Sequence, residues 1–519
     1  MIQISPSPCR KFAVLACWLT SLPCALPLSV AAAEPQPVPA QTTHIDAGLR
    51  QIEHIVIIYA ENRSFDNLYG LFPGADGIAN APPSARTQTD HDGQPLANLP
   101  RVWNDKEGHF RHELPNGPFR LDAEPYRMAL DVRTPDLVHR YYQNIEQING
   151  GRMDRFAAVS NAGGLAMAYY DGAPLPMWKY AKNYVLADHF FMGAFGGSFL
   201  NHFWLICACT PSFPDAPDSI RAQVDATGRL KRRANSPASA LMGPPTVHDG
   251  RVTPDGYAVN TLQPPYQPSA ARPVAGGDPR YADPAQNVLP PQETLTVGDT
   301  LSAKGVSWAW YADGWQAALA DGMQPGERPR TVIYGRTAGQ PSLEAHHQPF
   351  NYFARFAPGS AARNLHLRDG SDFLAAIDAG TLPQVAFYKP GSAVNQHPGY
   401  TDVLTGDTHI ARLIARLQAS PLWPKMAIIV TYDENGGYWD HVAPPVGAGH
   451  GDRWGPGPRI PTIIVSPFAR RHFIDSTPYD TTSIIKLITR RFSLQPLPGV
   501  REKTGDLTNA FDFQSPPNP

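Results

Sequence analysis

The 519-residue chain is poor in cysteine, with five in all. Three of them, Cys9, Cys17 and Cys24, fall in the first 33 residues, so Cys207 and Cys209 are the remaining pair. A disulfide across one intervening residue is uncommon and strained, so these two are expected as buried small hydrophobes, on one face if they lie on a strand. Formal net charge is only -2, which speaks against nucleic acid as a partner. After the first 33 residues no run is long and apolar enough to span a bilayer, so no stable membrane anchor is expected. A G-x-S-x-G elbow is missing, which argues against a serine hydrolase of that type. There is no internal repeat.

The first 33 residues have the layout of a secretory signal. Arg10 and Lys11 precede an apolar stretch from Phe12 to Leu28, broken by Pro23 and Pro27, and Ala31-Ala32-Ala33 offers a cleavage site. Without an Arg-Arg pair, the general export route is expected, giving a periplasmic or secreted protein. A linker over 34–49 then leads to one large domain over 50–495, and 496–519 reads as a tail ending in a frayed "FQSPPNP". With 42% hydrophobic residues the chain can support a sizeable core, and its 55 prolines point to long irregular connections. Residues 211–295 hold many of those prolines and read as an insertion with small hairpins or as a cap.

Runs rich in Val, Ile and aromatics predict strands at His54 to Ala60, Tyr184 to Phe191, Val306 to Tyr311, Gln384 to Tyr388, Lys425 to Tyr432 and Pro461 to Ser466. They lack strict alternation, as expected of strands covered on both faces. Helical spacing predicts a helix from Asp407 to Gln418, capped at Asp407 or Thr408, and another from Thr481 to Phe492. Strand–helix alternation gives an α/β fold around a mixed, largely parallel sheet.

Polar clusters sit where those strands end. In "HIVIIYAENRSFDNLYG" the strand runs into Glu61, Asn62, Arg63 and Ser64. Taken alone these residues equally suit a turn or a helix cap. In "YDENGGYWDH" a strand ends in Asp433 and Glu434, paired carboxylates that repel unless a cation or hydrogen bonds compensate. Together with Glu61-Asn62 this oxygen-rich set suits a divalent ion: calcium, magnesium, manganese or zinc. In "GAFGGSFLNHFW" four small residues precede Ser198, a candidate nucleophile or a helix N-cap, and Asn201 and His202 follow. There are 17 histidines. His139, His346, His347 and His397 suit an anionic tetrahedral substrate, because imidazoles donate to phosphoryl oxygens and exchange protons near neutral pH.

"HIVIIYAENRSFDNLYG", "DHFFMGAFGGSFLNHFW", "NQHPGYTDVLTGD", "YDENGGYWDHVAPP" and "GPGPRIPTIIVSPFAR" occur in that order over most of residues 50–495. In these blocks the chain resembles the secreted bacterial phosphoesterase family of acid phosphatases and phosphatidylcholine-type phospholipases C. Ser198 in "GGSFLNH", the His346-His347 pair and "YDENGG" are closer to the acid phosphatase branch; phospholipases typically carry threonine at the position of Ser198. The resemblance implies an alkaline-phosphatase-superfamily-like sandwich with the site at the strand ends. It implies Ser198 as nucleophile and one divalent metal held by Glu61, Asn62, Ser198, Asp433 and Glu434. It implies a phosphate pocket of His139, Asn201, His346, His347 and His397, with His347 or His397 protonating the leaving group. The activity implied is an exported acid phosphatase acting on small phosphate monoesters through phosphoserine, with phospholipase C as the alternative. An exported phosphate- or metal-binding protein is the non-enzyme reading. Cationic pocket histidines would give an acidic optimum. Asp440-His441 is expected either as a support for the site or as the start of the next loop, and Ser64 as a helix start.

Overall fold

The sheet that organises the molecule has central strands buried along nearly their whole length, because they are nearly uninterrupted runs of Val, Ile, Ala and aromatics. The computed structural model describes residues 40–518 other than 111, 327 and 338. The expected signal segment, 1–33, lies outside the described residues. Residues His44–Pro519 form one compact unit. Its sheet has eight strands: β1 His54–Ala60, β2 Val185–Ala187, β3 Trp308–Ala312, β4 Leu367–Asp369, β5 Val385–Lys389, β6 Met426–Tyr432, β7 Thr462–Val465 and β8 Phe473–Asp475, in the order β8-β2-β7-β6-β1-β5-β3-β4. The run β6-β1-β5-β3-β4 is parallel throughout, while β7 pairs antiparallel with both β6 and β2. The expected α/β class and mixed, largely parallel sheet are therefore observed.

Register decides where the chemistry goes. Ala60 pairs with Tyr432, and Ile58 with Tyr388. Glu61, Asp433 and Lys389 therefore leave the sheet side by side at the carboxyl ends of three neighbouring parallel strands, where loops diverge and side chains can converge on a ligand. Helices that bear on the site are α1 Phe65–Tyr69, α2 Tyr141–Ile148, α3 Ser198–Cys207, α4 Val403–Gln418 and α5 Thr481–Phe492.

Several local expectations are corrected. The apolar run at 184–191 is two short strands, Val185–Ala187 and Phe190–Phe191, with the polar Asp188 and His189 between them. Helix α4 starts at Val403, capped by Asp402, so Asp407 is an interior residue; its carboxylate accepts from Met177 N (2.8 Å), and burial pushes its carboxyl up to about 7. Cys207 and Cys209 are disulfide-bonded. They lie at a helix end rather than on a strand: Ala208, with φ of 47°, turns the chain back on itself and brings the two Cα atoms to 5.1 Å. The C-terminal residues are anchored rather than frayed. Phe513 packs against Phe468 and Phe511, and Asn518 Nδ2 donates to Ser466 O (3.1 Å) and Ala469 O (2.7 Å). Residues 211–295 contain short hairpin-like bridges such as Val224–Leu230 and Arg232–Val247.

Candidate active site

At the end of β1 the chain must turn sharply to leave the sheet, and Asn62 does so with a left-handed φ of 59°. Asn tolerates this conformation better than most residues, and its occurrence outside glycine marks a constrained position. The turn is held by Asn62 N donating to Asp433 Oδ1 (3.0 Å), a direct link between the β1 and β6 ends. Arg63, buried, donates through Nε and Nη2 to Gln396 O (3.2 and 3.0 Å), which fixes the loop carrying His397.

Ser198 is the first residue of α3, after Gly197. The glycines are sterically required. Gly196 has φ of 96°, and a Cβ on Gly197 would lie 2.6 Å from His139 O. The Ser198 hydroxyl donates to Glu61 Oε2 (3.2 Å) or Asn62 Oδ1 (3.4 Å). A helix N-terminus favours negative charge there, both on the serine oxygen and on a phosphoryl group bound to it. Ser64 behaves as expected of a helix start, its Oγ accepting from Asn67 N (3.2 Å).

Glu61, Asp433 and Glu434 are all fully buried. Against these three carboxylates the cluster has one buried ammonium, Lys389, which contacts Glu61 Oε1 and lies 3.8 Å from Asp433 Oδ2. Among the described residues, Asp433 Oδ2 and Glu434 Oε1 have no hydrogen-bond donor. Burial and the Glu61 charge push the Asp433 carboxyl up to about 7, and burial with the Asp433 charge pushes Glu434 well above its usual range. Two uncompensated negative charges and undonated oxygens at a buried site fit one divalent cation, which would reverse those shifts. Glu61, Asn62, Asp433, Glu434 and Ser198 are the residues that would hold it.

The histidines divide by tautomer. Nδ1 of His139, His202 and His397 faces the carbonyls of Leu137 (2.5 Å), Ser198 (2.6 Å) and Pro398 (2.6 Å). Each must donate there, so each Nε2 is bare in the neutral ring. Bare His397 Nε2 faces Asn62 Nδ2 at 3.1 Å, and His139 Nε2 faces it at 3.4 Å. His346 is opposite. Gln263 Nε2 donates to the Tyr334 hydroxyl (3.1 Å), leaving the phenol proton for His346 Nδ1 (3.2 Å) and hence Nε2–H on His346. His347 Nε2 lies 2.8 Å from Glu61 Oε1, and its Nδ1 lies 3.3 Å from Glu344.

Ser198, His139, His346, His347 and His397 all border one cavity of about 530 Å³, whose other walls include Arg140, Arg251, Asn260, Thr261 and Gln263. Two expectations fail here. Asn201 does not face the cavity: its Oδ1 accepts from Ala194 N (2.9 Å), and its Nδ2 donates to Ala194 O (3.1 Å) and Gly197 O (3.2 Å), so it braces the glycine loop. Nor do the surroundings of His346, His347 and His397 favour the cationic ring. Burial and then the Lys389 charge hold His202 and His347 well below the imidazole range and His346 at about 3; burial and His139 do the same for His397. An acidic optimum therefore does not follow from resting histidine charge.

Asp440 and His441 belong to a separate buried network. Arg459 Nε donates to Asp440 Oδ1 (2.8 Å) and Nη2 to Asp66 Oδ1 (3.2 Å), while His441 Nδ1 lies 2.7 Å from Asp66 Oδ2. It ties the loop after β6 to α1 and to the approach to β7. Sequence reasoning missed Lys389, Tyr334 and Glu344; Lys389 alone left a signal, as a cation closing an apolar strand at the same sheet edge as Glu61.

The sequence profile of the phosphoesterase family matches residues 52–495. The chain belongs to the phosphoesterase family. It is 28% identical over 516 residues to the non-hemolytic phospholipase C of Burkholderia pseudomallei, covering 90% of this chain and 60% of that one. It is 24% identical over 506 residues to phospholipase C B of Mycobacterium tuberculosis, covering 91% and 80%. The chain thus spans less than two thirds of the first relative's length. A solved structure of an alkaline phosphatase superfamily protein from Vibrio parahaemolyticus overlaps 75% of each chain at 8% identity with a TM-score of 0.32, too loose a match to add to the topology described above.

Proposed function

We propose that this phosphoesterase is an exported, metal-dependent hydrolase that forms a covalent intermediate on Ser198 and acts on phosphodiesters of the phospholipase C type. The observation that carries the chemistry is the Ser198 hydroxyl at a helix N-terminus, 3.2 Å from one carboxylate of a buried, cation-deficient cluster. The substrate class is supported by the names of the relatives, and it displaces the monoesterase preference read from the sequence. Export is supported by the Cys207–Cys209 disulfide, since such bonds persist in oxidising compartments.

When bound among Glu61, Asn62, Asp433 and Glu434, a divalent ion would lower the pKa of the serine hydroxyl and offset phosphoryl charge. In the first step Ser198 Oγ attacks phosphorus: the Oγ–P bond forms as the bond to the leaving oxygen breaks. The serine proton has Glu61 Oε2 as its acceptor. The leaving oxygen accepts a hydrogen bond from His346 Nε2–H, the cavity histidine whose tautomer is set for donation in preference to His347 or His397, and takes its proton from a water molecule. Bare Nε2 on His139 and His397 orients Asn62. The hydroxide left by that water then attacks phosphorus and breaks the Oγ–P bond; Ser198 regains its proton from Glu61 Oε2 and configuration at phosphorus is retained.

Phosphomonoester hydrolysis is the second reading. It is favoured by the polar cavity wall of Arg140, Arg251, Asn260, Thr261 and Gln263, which suits a small polar ester. Rates on an aryl phosphate monoester and on an aryl ester of phosphorylcholine, with metal supplied, discriminate the two. The proposal expects the diester to be faster. A faster monoester would restore the acid phosphatase reading, and no turnover of either would favour an exported binding protein.

A further inference from the structure

The buried face of the site, behind Glu61, holds a second group of ligand atoms. Glu61, His202 and His347 each offer one atom, all within 4.8 Å of one another, and all three residues are buried. Glu61 faces two ways. Its Oε2 accepts from Ser198, and its Oε1 lies toward His347 Nε2 (2.8 Å), out of hydrogen-bond geometry. The His202 and His347 rings are parallel, 5.1 Å apart at 8°, and both Nε2 atoms are buried without a hydrogen-bond partner among the described residues. For His202 that atom must be bare, because its Nδ1 donates to Ser198 O. Two imidazoles and a carboxylate, each converging through one atom, are the donor set of a borderline divalent metal with an open position.

A cation already lies against Glu61. Lys389, at the end of β5, is 1% exposed. Its Nζ contacts Glu61 Oε1, lies 3.5 Å from Ala60 O and sits 5.0 Å from the Tyr59 ring centre. The Tyr59 ring in turn packs edge-on against His202. Resting on the reading that Glu61, Asn62, Asp433 and Glu434 hold one ion, we propose that Glu61, His202 and His347 form a second cation position and that the Lys389 ammonium fills it. The lysine is a cation carried by the chain, standing where a transition-metal ion would otherwise bind. It keeps the centre to one metal and leaves His202 and His347 unligated. Lys389 acts as a positioning residue: it holds Glu61 Oε1, so that Oε2 stays on Ser198.

The test is metal content of the purified full-length protein after equilibration with Zn2+ or Mn2+, with Co2+ absorption as a second readout. Lys389→Ala should bind roughly one more ion per chain than wild type, with new Co2+ bands from nitrogen ligation. Lys389→Ala/His202→Ala should return to the wild-type content, and Lys389→Arg should match wild type. A folded Lys389→Ala with unchanged metal content overturns the proposal. Should Lys389→Ala not fold, His202→Ala in the wild-type background decides. Unchanged metal content there supports a second, lysine-filled position, whereas loss of the native ion overturns it. Failure of the underlying reading is distinguishable, because it shows as wild-type protein that binds no ion at all.

Discussion

Replacing Arg459 with methionine removes the arginine that joins Asp66, Asp440 and His441 while keeping most of the side-chain volume. Arg459 is fully buried and also donates through Nη1 to Asp76 O (2.8 Å) and Asp188 O (2.7 Å). The substitution strands two buried carboxylates and two carbonyls. Breaking a buried ion pair from one side costs about 3–5 kcal/mol. Unfolding entropy is about 2.1 cal/mol/K per residue, so the unit His44–Pro519 carries roughly 1 kcal/mol/K and the loss becomes a Tm fall of about 4 °C. Calorimetry of Arg459→Met should show that fall, and adding Asp440→Asn should recover part of it, since the stranded charge is then gone. A fall under about 1 °C, or a double variant as unstable as the sum of the singles, would refute the claim that these charges are held by Arg459.

His441 in the same network titrates above its ordinary value: burial opposes the charged ring, but the Asp66 hydrogen bond and the Asp66 and Asp440 charges outweigh it. Its contribution to stability is therefore complete below about pH 6.5 and lost as pH rises through the folded value, so wild type should lose more Tm than His441→Gln between pH 6 and 8.5; parallel profiles would contradict this. Ser198→Ala should lower kcat by about four orders of magnitude or more while isothermal titration still detects metal and vanadate binding; near-normal turnover would remove Ser198 as nucleophile. Asn201→Ala deletes three hydrogen bonds to the glycine loop, two of them buried, and should cost about 2 kcal/mol in denaturant unfolding and lower kcat more than it raises KM; a change confined to KM would return Asn201 to substrate binding.

Much of the site was legible because its residues fall at strand ends. Val, Ile and aromatic runs located β1 and β6, and the acids that close them followed directly. Register was not legible. Which strand lies beside β1 depends on long-range pairing, so the arrival of Lys389 next to Glu61 could not be read from local pattern, although a cation ending an apolar strand was visible. Asn201 was misread because adjacency in sequence to Ser198 is not adjacency in space: three residues on along a helix, its side chain turns back onto the loop. The charge of His346 and His347 was misread because it depends on burial and on Lys389, neither of which local sequence displays. Asp407 misled for a related reason, since Asp402, five residues earlier, is an equally good cap. The Cys207–Cys209 bond depended on a left-handed Ala208, a conformation alanine rarely signals.

The central claim is that phosphorus becomes covalently bound to Ser198. Rapid acid quench during turnover, followed by intact-mass and peptide analysis, tests it most directly. The account predicts an adduct on the Ser198 peptide whose mass is that of a phosphorylated head group with a diester substrate and of a phosphoryl group with a monoester. Turnover at full rate with no adduct on Ser198, or with an adduct on another residue, would contradict it.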